Sequence, residues 1–160
     1  MSQIEETVYY NSPIGVIEIT ADKKGIKRID FIRTKKRINS SDISNQYLKD
    51  CLSQIDEYFK GQRKSFNVRL NLDGTEFQKK VWRELIKIPF GKIVSYGEIA
   101  RRIKNEKGVR AVGQAIGRNP VSIVVPCHRV IGSDGSLTGY ASGLSRKEWL
   151  LKHEGIRANR

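Results

Sequence analysis

The residues best suited to chemistry are Cys127 and His128, which adjoin in sequence and follow an apolar run at residues 121–125 and then Pro126. A cysteine reacts as its thiolate, and an ordinary thiol needs a neighbouring base or positive charge to form one at neutral pH. We interpret the apolar run as a buried strand that Pro126 ends. Adjacent side chains on a strand point to opposite faces, so the pair can cooperate only if the chain turns after Pro126 or a water bridges them.

A catalytic imidazole also needs a third group to orient it, and a carboxylate is the natural choice. Glu98 and Glu148 are expected to cap helices. Glu154 follows the apolar turn 149–151 and precedes Gly155, so it could point inward. Spacing alone does not choose among the acids of this half, which are Asp73, Glu76, Glu84, Glu98, Glu106, Asp134, Glu148 and Glu154. The dipeptide by itself also leaves structural and metal-ligand roles open.

Composition indicates a globular protein that is attracted to polyanions. The 160 residues include 30 Lys and Arg against 17 Asp and Glu, a net charge of +13. Nucleic acid is the commonest partner for such an excess, and a merely solubilising surface is the alternative. A four-ligand structural zinc site would need nearly every one of the two cysteines and two histidines, so no metal is expected. No membrane span is expected. The acidic N-terminus favours a cytoplasmic address.

The elements predict an α/β (α+β) fold with two domains. In residues 1–72 we predict a hairpin over 8–20, a turn at 23–25, a strand at 26–32 and an exposed loop at 34–41. A helix over 42–60 places Cys51 on its apolar stripe, which indicates a packing role. Residues 63–74 are expected to form a linker, and residues 158–160 a frayed end.

Residues 73–160 predict a mainly helical second domain. Three capping boxes, each a Ser or Thr followed three residues later by Gln or Glu, are expected to open helices at Thr75, Ser95 and Ser145. A further helix over 109–117 would pack through Val109, Val112 and Ile116.

The opposite face of the helix over 109–117 is small and carries arginine. It comprises Arg110, Gly113, Gln114 and Gly117, with Ala111 and Arg118 at its margins. Helix, turn and helix over 95–118 therefore predict a helix-turn-helix unit on DNA. Two packed surface helices without a ligand are the alternative.

Six segments of this second half resemble the O6-alkylguanine-DNA alkyltransferase family. The segment IVVPCHRVI at residues 123–131 resembles the family's active-site sequence. The others resemble its DNA-binding helices, pocket loop and final helix; they are 90–100 (FGKIVSYGEIA), 110–115 (RAVGQA), 119–121 (NPV), and 139–144 (GYASGL) with 147–155 (KEWLLKHEG). The N-terminal half matches only in its pattern of strands followed by a helix.

The resemblance implies roles for the residues that carry it. Cys127 would accept the alkyl group once, His128 would deprotonate it through a water, and Glu154 would hold the imidazole. Tyr96 would protonate the guanine and crowd the phosphate of the flipped nucleotide, and Asn119 would brace the turn that supports the active strand. The pocket would be formed by Ile116, Val130, Tyr140 and Ala141.

The resemblance also implies a DNA interface. Arg110 would insert into the duplex in place of the flipped base, beside Ala111 and Gly113 on the same helix. Gly97, Asn105 and Ser133 would touch the DNA backbone. The expected partner is double-stranded DNA containing alkylated guanine, with O4-alkylthymine as a further substrate. The protein would need no cofactor and act as a monomer.

Two other functions remain as alternatives. A DNA-binding module without chemistry would use the helix that carries Arg110. In that case Cys127→Ala would leave every activity intact. A thiol hydrolase acting on a small substrate would explain Cys127 and His128, but it would leave the helix-turn-helix and the positive charge unexplained.

Overall fold

A computed structural model describes residues 4–33 and 42–157 of the chain, which divides into two compact units, Met1–Asp73 and Gly74–Arg160. The loop expected at 34–41 and the frayed end expected at 158–160 lie outside the described residues. No described helix has both the length and the apolar character needed to cross a membrane.

In the N-terminal unit, residues 4–33 and 42–73 form an antiparallel three-stranded sheet with one helix on it. Strands β1 (Glu6–Ser12), β2 (Gly15–Asp22) and β3 (Gly25–Ile32) follow one another in space, and helix α1 (Gln46–Phe59) contacts all three. The predicted hairpin and the turn before β3 are confirmed. The predicted linker 63–74 contributes one isolated bridge, between Leu70 and Ile26.

Helix α1 begins four residues later than predicted. The side-chain oxygen of Asn45 accepts hydrogen bonds from the backbone N–H groups of Tyr47 and Leu48, at 2.8 and 3.2 Å. An N-cap of this kind satisfies amides that have no partner within the helix, and so fixes its first turn. The predicted burial of Cys51 is confirmed, and burial raises the pKa of its thiol to about 12.

The described residues of the C-terminal unit form four α-helices and a two-stranded parallel pairing. The helices are α2 (Glu76–Ile86), α3 (Tyr96–Arg102), α4 (Val109–Gly117) and α5 (Leu144–His153), and the paired strands are β4 (Val94–Ser95) and β5 (Val130–Ile131). The buried Trp82 of α2 donates its indole N–H to the carbonyl of Ala115 on α4 at 2.8 Å. That bond fixes the helix that we expected to face DNA.

The buried face of α4 differs at one position from the prediction. Val112 and Ile116 are buried as expected, and Ala115 joins them, but Val109 is 40% exposed. Val109 is the first residue of the helix and follows a 3₁₀ turn, so it precedes the part of α4 that packs. The predicted outward face is confirmed, because Arg110, Gln114 and Gly117 are exposed.

The three predicted capping boxes have different outcomes. At α2 the box is complete, with Thr75 and Gln78 exchanging side-chain and backbone bonds. At α3, Ser95 caps the helix, but the Glu98 carboxylate pairs with Arg101 and Arg102. The box at Ser145, and with it the capping role of Glu148, was wrong. Helix α5 begins at Leu144. The residue before it, Gly143, ends the preceding loop with a φ of +99°, a backbone conformation that suits glycine.

Thr75→Ala should lower the free energy of unfolding by about 1 kcal/mol, because it removes the oxygen that caps α2. Ser145→Ala is the matched control and should change it by less than about 0.5 kcal/mol, since Ser145 caps no helix. Urea unfolding followed by circular dichroism measures both. Equal losses in the two variants would contradict this assignment of the caps.

Candidate functional site

The apolar run before Cys127 is a sequence of turns, so the predicted strand at residues 121–125 was wrong. Backbone N–H groups of Val124 and Val125 donate to the carbonyls of Ser122 and Val121, and Ile123 has a φ of +73°. Asn119 explains the turn: its side chain accepts from Val121 N–H at 2.9 Å and donates to the Val125 carbonyl at 2.8 Å. These bonds join the two ends of the segment, which is where the resemblance placed a brace.

The chain turns again immediately after Pro126. Cys127–Arg129 form one turn of 3₁₀ helix, and the Arg129 N–H donates to the Pro126 carbonyl at 3.0 Å. This is one of the two conditions under which Cys127 and His128 can cooperate. Both side chains are buried.

Behind Cys127 lies a buried network of three charged or polar groups. The His128 Nε2 and a Glu154 carboxylate oxygen are 2.7 Å apart, and both side chains have no exposed surface. Arg129 donates to both carboxylate oxygens, at 2.7 and 3.1 Å, and also to the Ile88 carbonyl. A bidentate guanidinium satisfies the buried carboxylate in the geometry that it prefers.

The charges of this network fix the proton on the imidazole. Burial alone would raise the pKa of Glu154, but its bonds to His128 and Arg129 outweigh burial and hold the pKa well below the usual range. Burial lowers the pKa of His128, so the imidazole is neutral at pH 7. An ionised carboxylate only accepts hydrogen bonds, so Nε2 carries the proton and donates it. Nδ1 then holds a lone pair, and it has no hydrogen-bond partner among the described residues.

Acid should destabilise the protein through His128. In the unfolded chain this histidine takes up a proton below about pH 6.5, whereas the folded pKa is lower, so stability falls as pH falls. Between pH 7.5 and pH 5.5 the loss is at most about 1.4 kcal/mol, the limit for one histidine that stays unprotonated in the folded protein, in a range where ordinary carboxylates do not titrate. Urea unfolding at the two pH values measures it. His153→Gln, which removes the other histidine, should retain the loss; its disappearance in that variant would contradict the assignment to His128.

A cavity of about 160 Å³ opens onto Cys127. Its walls bring together Tyr96, Gly113, Ile116, Asn119, Cys127, Tyr140 and Ala141, all of which had been singled out in the sequence, with Gly117, Ser122, Gly139 and Ser142. Burial raises the pKa of the Cys127 thiol, while Asn119 and the charge of Lys147 oppose that rise. The resting group is therefore a thiol that needs a base.

Tyr96 stands in the cavity wall as a neutral phenol. Burial raises its pKa, and its hydroxyl donates to the Thr138 carbonyl at 3.3 Å. A Cβ added at Gly113 would lie 3.9 Å from the Tyr96 ring, at ordinary van der Waals distance, so Gly113 on α4 adjoins Tyr96. The arrangement places a proton donor in the same cavity as the nucleophile.

The other predicted residues lie outside the cavity wall. Arg110 and Ala111 are exposed on α4, and Asn105 is exposed on the turn before it. Gly97 and Ser133 adjoin, since a side chain at Gly97 would lie 3.7 Å from the Ser133 hydroxyl. Val130 is buried in β5 and does not line the cavity. No described group of three or more His, Cys, Asp or Glu is arranged to hold a metal.

Two buried cations of the site had no role assigned from the sequence. Arg129 binds Glu154, and Lys147 donates to three backbone carbonyls. Both lie inside the segments that carry the family resemblance, which was the only signal that could have indicated them. Lysine and arginine are ordinarily exposed unless they are paired.

Comparison with known proteins covers both units. Residues 76–156 match the family model of the 6-O-methylguanine DNA methyltransferase DNA-binding domain, and residues 7–72 match that of the 6-O-methylguanine DNA methyltransferase ribonuclease-like domain. A methylated-DNA–protein-cysteine methyltransferase of Methanosarcina acetivorans is 50% identical over 91% of this chain and 96% of its own length. One from Haemophilus influenzae is 42% identical, over 92% and 85%.

Solved structures resemble the chain over nearly its whole length. The Mycobacterium tuberculosis O6-methylguanine methyltransferase is 38% identical, with a TM-score of 0.82 over 94% of this chain and 93% of that one. The structure of Mycobacterium tuberculosis OGT in complex with DNA is 40% identical, with a TM-score of 0.83 over 97% and 94%. The chain belongs to the 6-O-methylguanine DNA methyltransferase family.

Proposed function

We propose that this protein repairs DNA by transferring an alkyl group from the O6 position of guanine to the Cys127 sulfur. The names of its relatives and the DNA complex of a family member support the proposal. One observation carries it: Cys127 lines a closed-in cavity and is followed in the chain by His128, a neutral imidazole whose Nδ1 accepts no hydrogen bond among the described residues. A thiol next to an oriented base is the arrangement for nucleophilic attack.

The transfer balances with the groups in the site. His128 Nδ1 takes the thiol proton, by way of a water as the resemblance implies, and Glu154 stabilises the resulting imidazolium. The thiolate forms a bond to the alkyl carbon as the bond from that carbon to O6 breaks. The electron pair passes into the guanine, which takes a proton from the Tyr96 hydroxyl. Positioned acid and base groups of this kind typically contribute about 10²–10⁴-fold in rate.

The product is a thioether, which ends the reaction. The described side chains that line the cavity are neutral groups, mainly hydroxyls, an amide and hydrocarbon, and none of them cleaves a carbon–sulfur bond. Each protein molecule therefore acts once. The reacting groups all come from the chain, so the mechanism calls on no cofactor.

The DNA is held by the exposed face of α4 and attracted by the net positive charge of the protein. The cavity is too enclosed for a base within a duplex, so the alkylated guanine is flipped out, which costs a few kcal/mol. Arg110 replaces it in the stack, while Gly97, Asn105 and Ser133 contact the DNA backbone. Activity on O4-alkylthymine, the monomeric state and the cytoplasmic address stay predictions.

Arg110→Ala should slow repair of duplex DNA by about 10-fold or more, since the side chain that offsets flipping is lost. Repair of the free alkylated base should be unchanged. Arg83→Ala removes an exposed arginine from α2, outside the face of α4, and serves as the control. Single-turnover rates on both substrates measure the effect. A similar loss on the free base would show that Arg110 acts elsewhere than in flipping.

Titration tests the proposed function directly. A fixed amount of duplex DNA containing O6-methylguanine is mixed with increasing protein, and the remaining lesion is counted. We expect repair to stop at one lesion for each protein molecule. Many lesions per molecule would indicate a turning-over thiol enzyme, and binding without repair would indicate a DNA-binding module.

A further inference from the structure

Lys147 is a buried cation that the proposed mechanism does not use. Its side chain has no exposed surface, although it lies on α5 at the edge of the reactive site. Its ammonium donates to the carbonyls of Val130 at 2.6 Å, Thr138 at 2.8 Å and Gly139 at 3.2 Å. An ammonium has three donors, so all of them are used.

The three carbonyls that Lys147 binds belong to two different segments next to the cavity. Val130 belongs to β5, directly after the Cys127 turn, whereas Thr138 and Gly139 open the pocket loop, residues 138–143. The pocket loop contributes Gly139, Tyr140, Ala141 and Ser142 to the cavity wall. Outside this ammonium, the start of the loop is held by the Tyr96 hydroxyl, at the same Thr138 carbonyl.

We propose that Lys147 is a positioning residue that fastens the pocket loop to β5 and so holds the cavity wall against Cys127. The inference rests on the proposed function for its catalytic consequence, but the fastening itself is a property of the fold. The ammonium also lies 5.9 Å from the Tyr96 ring centre, within the range of a cation–π contact. It therefore touches both the loop and the proton donor.

The charge of Lys147 also affects the pKa values of the reactive groups. Burial lowers the pKa of its ammonium to about 8, and the neighbouring Cys127 opposes that fall. In return the ammonium lowers the pKa of Cys127, and it also lowers that of His128. The cation thus favours the thiolate and keeps the imidazole neutral, with Nδ1 unprotonated.

Lys147→Met tests the fastening, because it keeps the length of the side chain and removes the donors. Hydrogen exchange of the pocket loop should quicken, including the Gly143 amide that donates to the Tyr140 carbonyl at 2.9 Å. The single-turnover rate at saturating DNA should fall by about 10–100-fold, as expected when a reacting group is misplaced. The DNA concentration for half-maximal rate should not change.

Two further variants make the test decisive. Lys152→Met removes the same charge from an exposed site on α5 and should behave as wild type. Lys147→Gln keeps two donors, so its exchange and rate should lie between those of wild type and Lys147→Met. It preserves the comparison if Lys147→Met does not fold.

Wild-type exchange and rate in a folded Lys147→Met would overturn the proposal, as would faster exchange throughout the unit. If wild type and Lys152→Met transfer no methyl group, the proposed function fails, and loop exchange still decides the role of Lys147.

Discussion

Cys127→Ser is expected to abolish alkyl transfer and to leave DNA binding within about twofold of wild type. A serine hydroxyl is far less acidic than a thiol, and the neutral His128 cannot produce enough alkoxide to react. The substitution replaces one small buried group by another, so the fold and the exposed face of α4 stay in place. Binding to duplex DNA is measured by fluorescence anisotropy and transfer by loss of the lesion.

Cys51→Ser is the matched control for that experiment. Cys51 is the other cysteine of the chain, is fully buried in α1, and belongs to the N-terminal unit. The control should transfer normally, with at most a loss of stability from placing a hydroxyl in the core. Transfer that survives in Cys127→Ser and is lost in Cys51→Ser would reverse the assignment of the nucleophile.

Glu154→Gln is expected to reduce both stability and rate. Gln keeps the shape of the side chain but leaves the buried Arg129 guanidinium without its anion, which typically costs about 3–5 kcal/mol. A neutral amide can also donate to the imidazole, so Nε2 no longer has to carry the proton. We expect the single-turnover rate to fall by about 10²-fold or more in the fraction that remains folded.

Glu148→Gln provides the comparison for Glu154→Gln. Glu148 lies on α5, the helix that Glu154 directly follows, and pairs with the largely exposed Lys152 at 3.7 Å, an arrangement that contributes at most about 1 kcal/mol. Urea unfolding and single-turnover assays on both variants separate the buried pair from the exposed one. Comparable losses in the two would mean that the His128–Glu154–Arg129 network has no special role.

The helices were predictable where local chemistry decided them. Thr75 and Ser95 cap helices as the sequence indicated, and α4 spans the predicted residues 109–117. Ser145 failed as a cap because Gly143, with its positive φ, ends the preceding loop and lets α5 begin one residue before Ser145. Capping boxes are local signals, and a loop geometry that favours glycine can override them.

The run at residues 121–125 shows why the reactive segment was harder to predict. Its apolar residues are buried, as expected, apart from the half-buried Val124, but a short apolar run does not distinguish a strand from a buried turn. Asn119 decides in favour of the turn, through bonds to both ends of the run. Such a side-chain bond depends on the folded geometry and leaves no periodic pattern in the sequence.

Pairing between residues distant in sequence also limited what could be predicted about the site. Glu154 is 26 residues from His128, and apart from the family resemblance only its place between the apolar turn 149–151 and Gly155 suggested that it points inward. Arg129 and Lys147 have residue types that are usually exposed, so their burial follows from partners that folding supplies. The sequence therefore indicated which residues react, whereas the structure was needed to show what holds them.

The central claim, that Cys127 receives the alkyl group, is tested most directly by the intact mass of the protein after incubation with duplex DNA containing O6-methylguanine. The account predicts that one methyl group replaces one proton in every active molecule, that peptide mapping places it on Cys127, and that Cys127→Ser shows no change. An unchanged mass while the lesion is bound, or a methyl group on another residue, would contradict it.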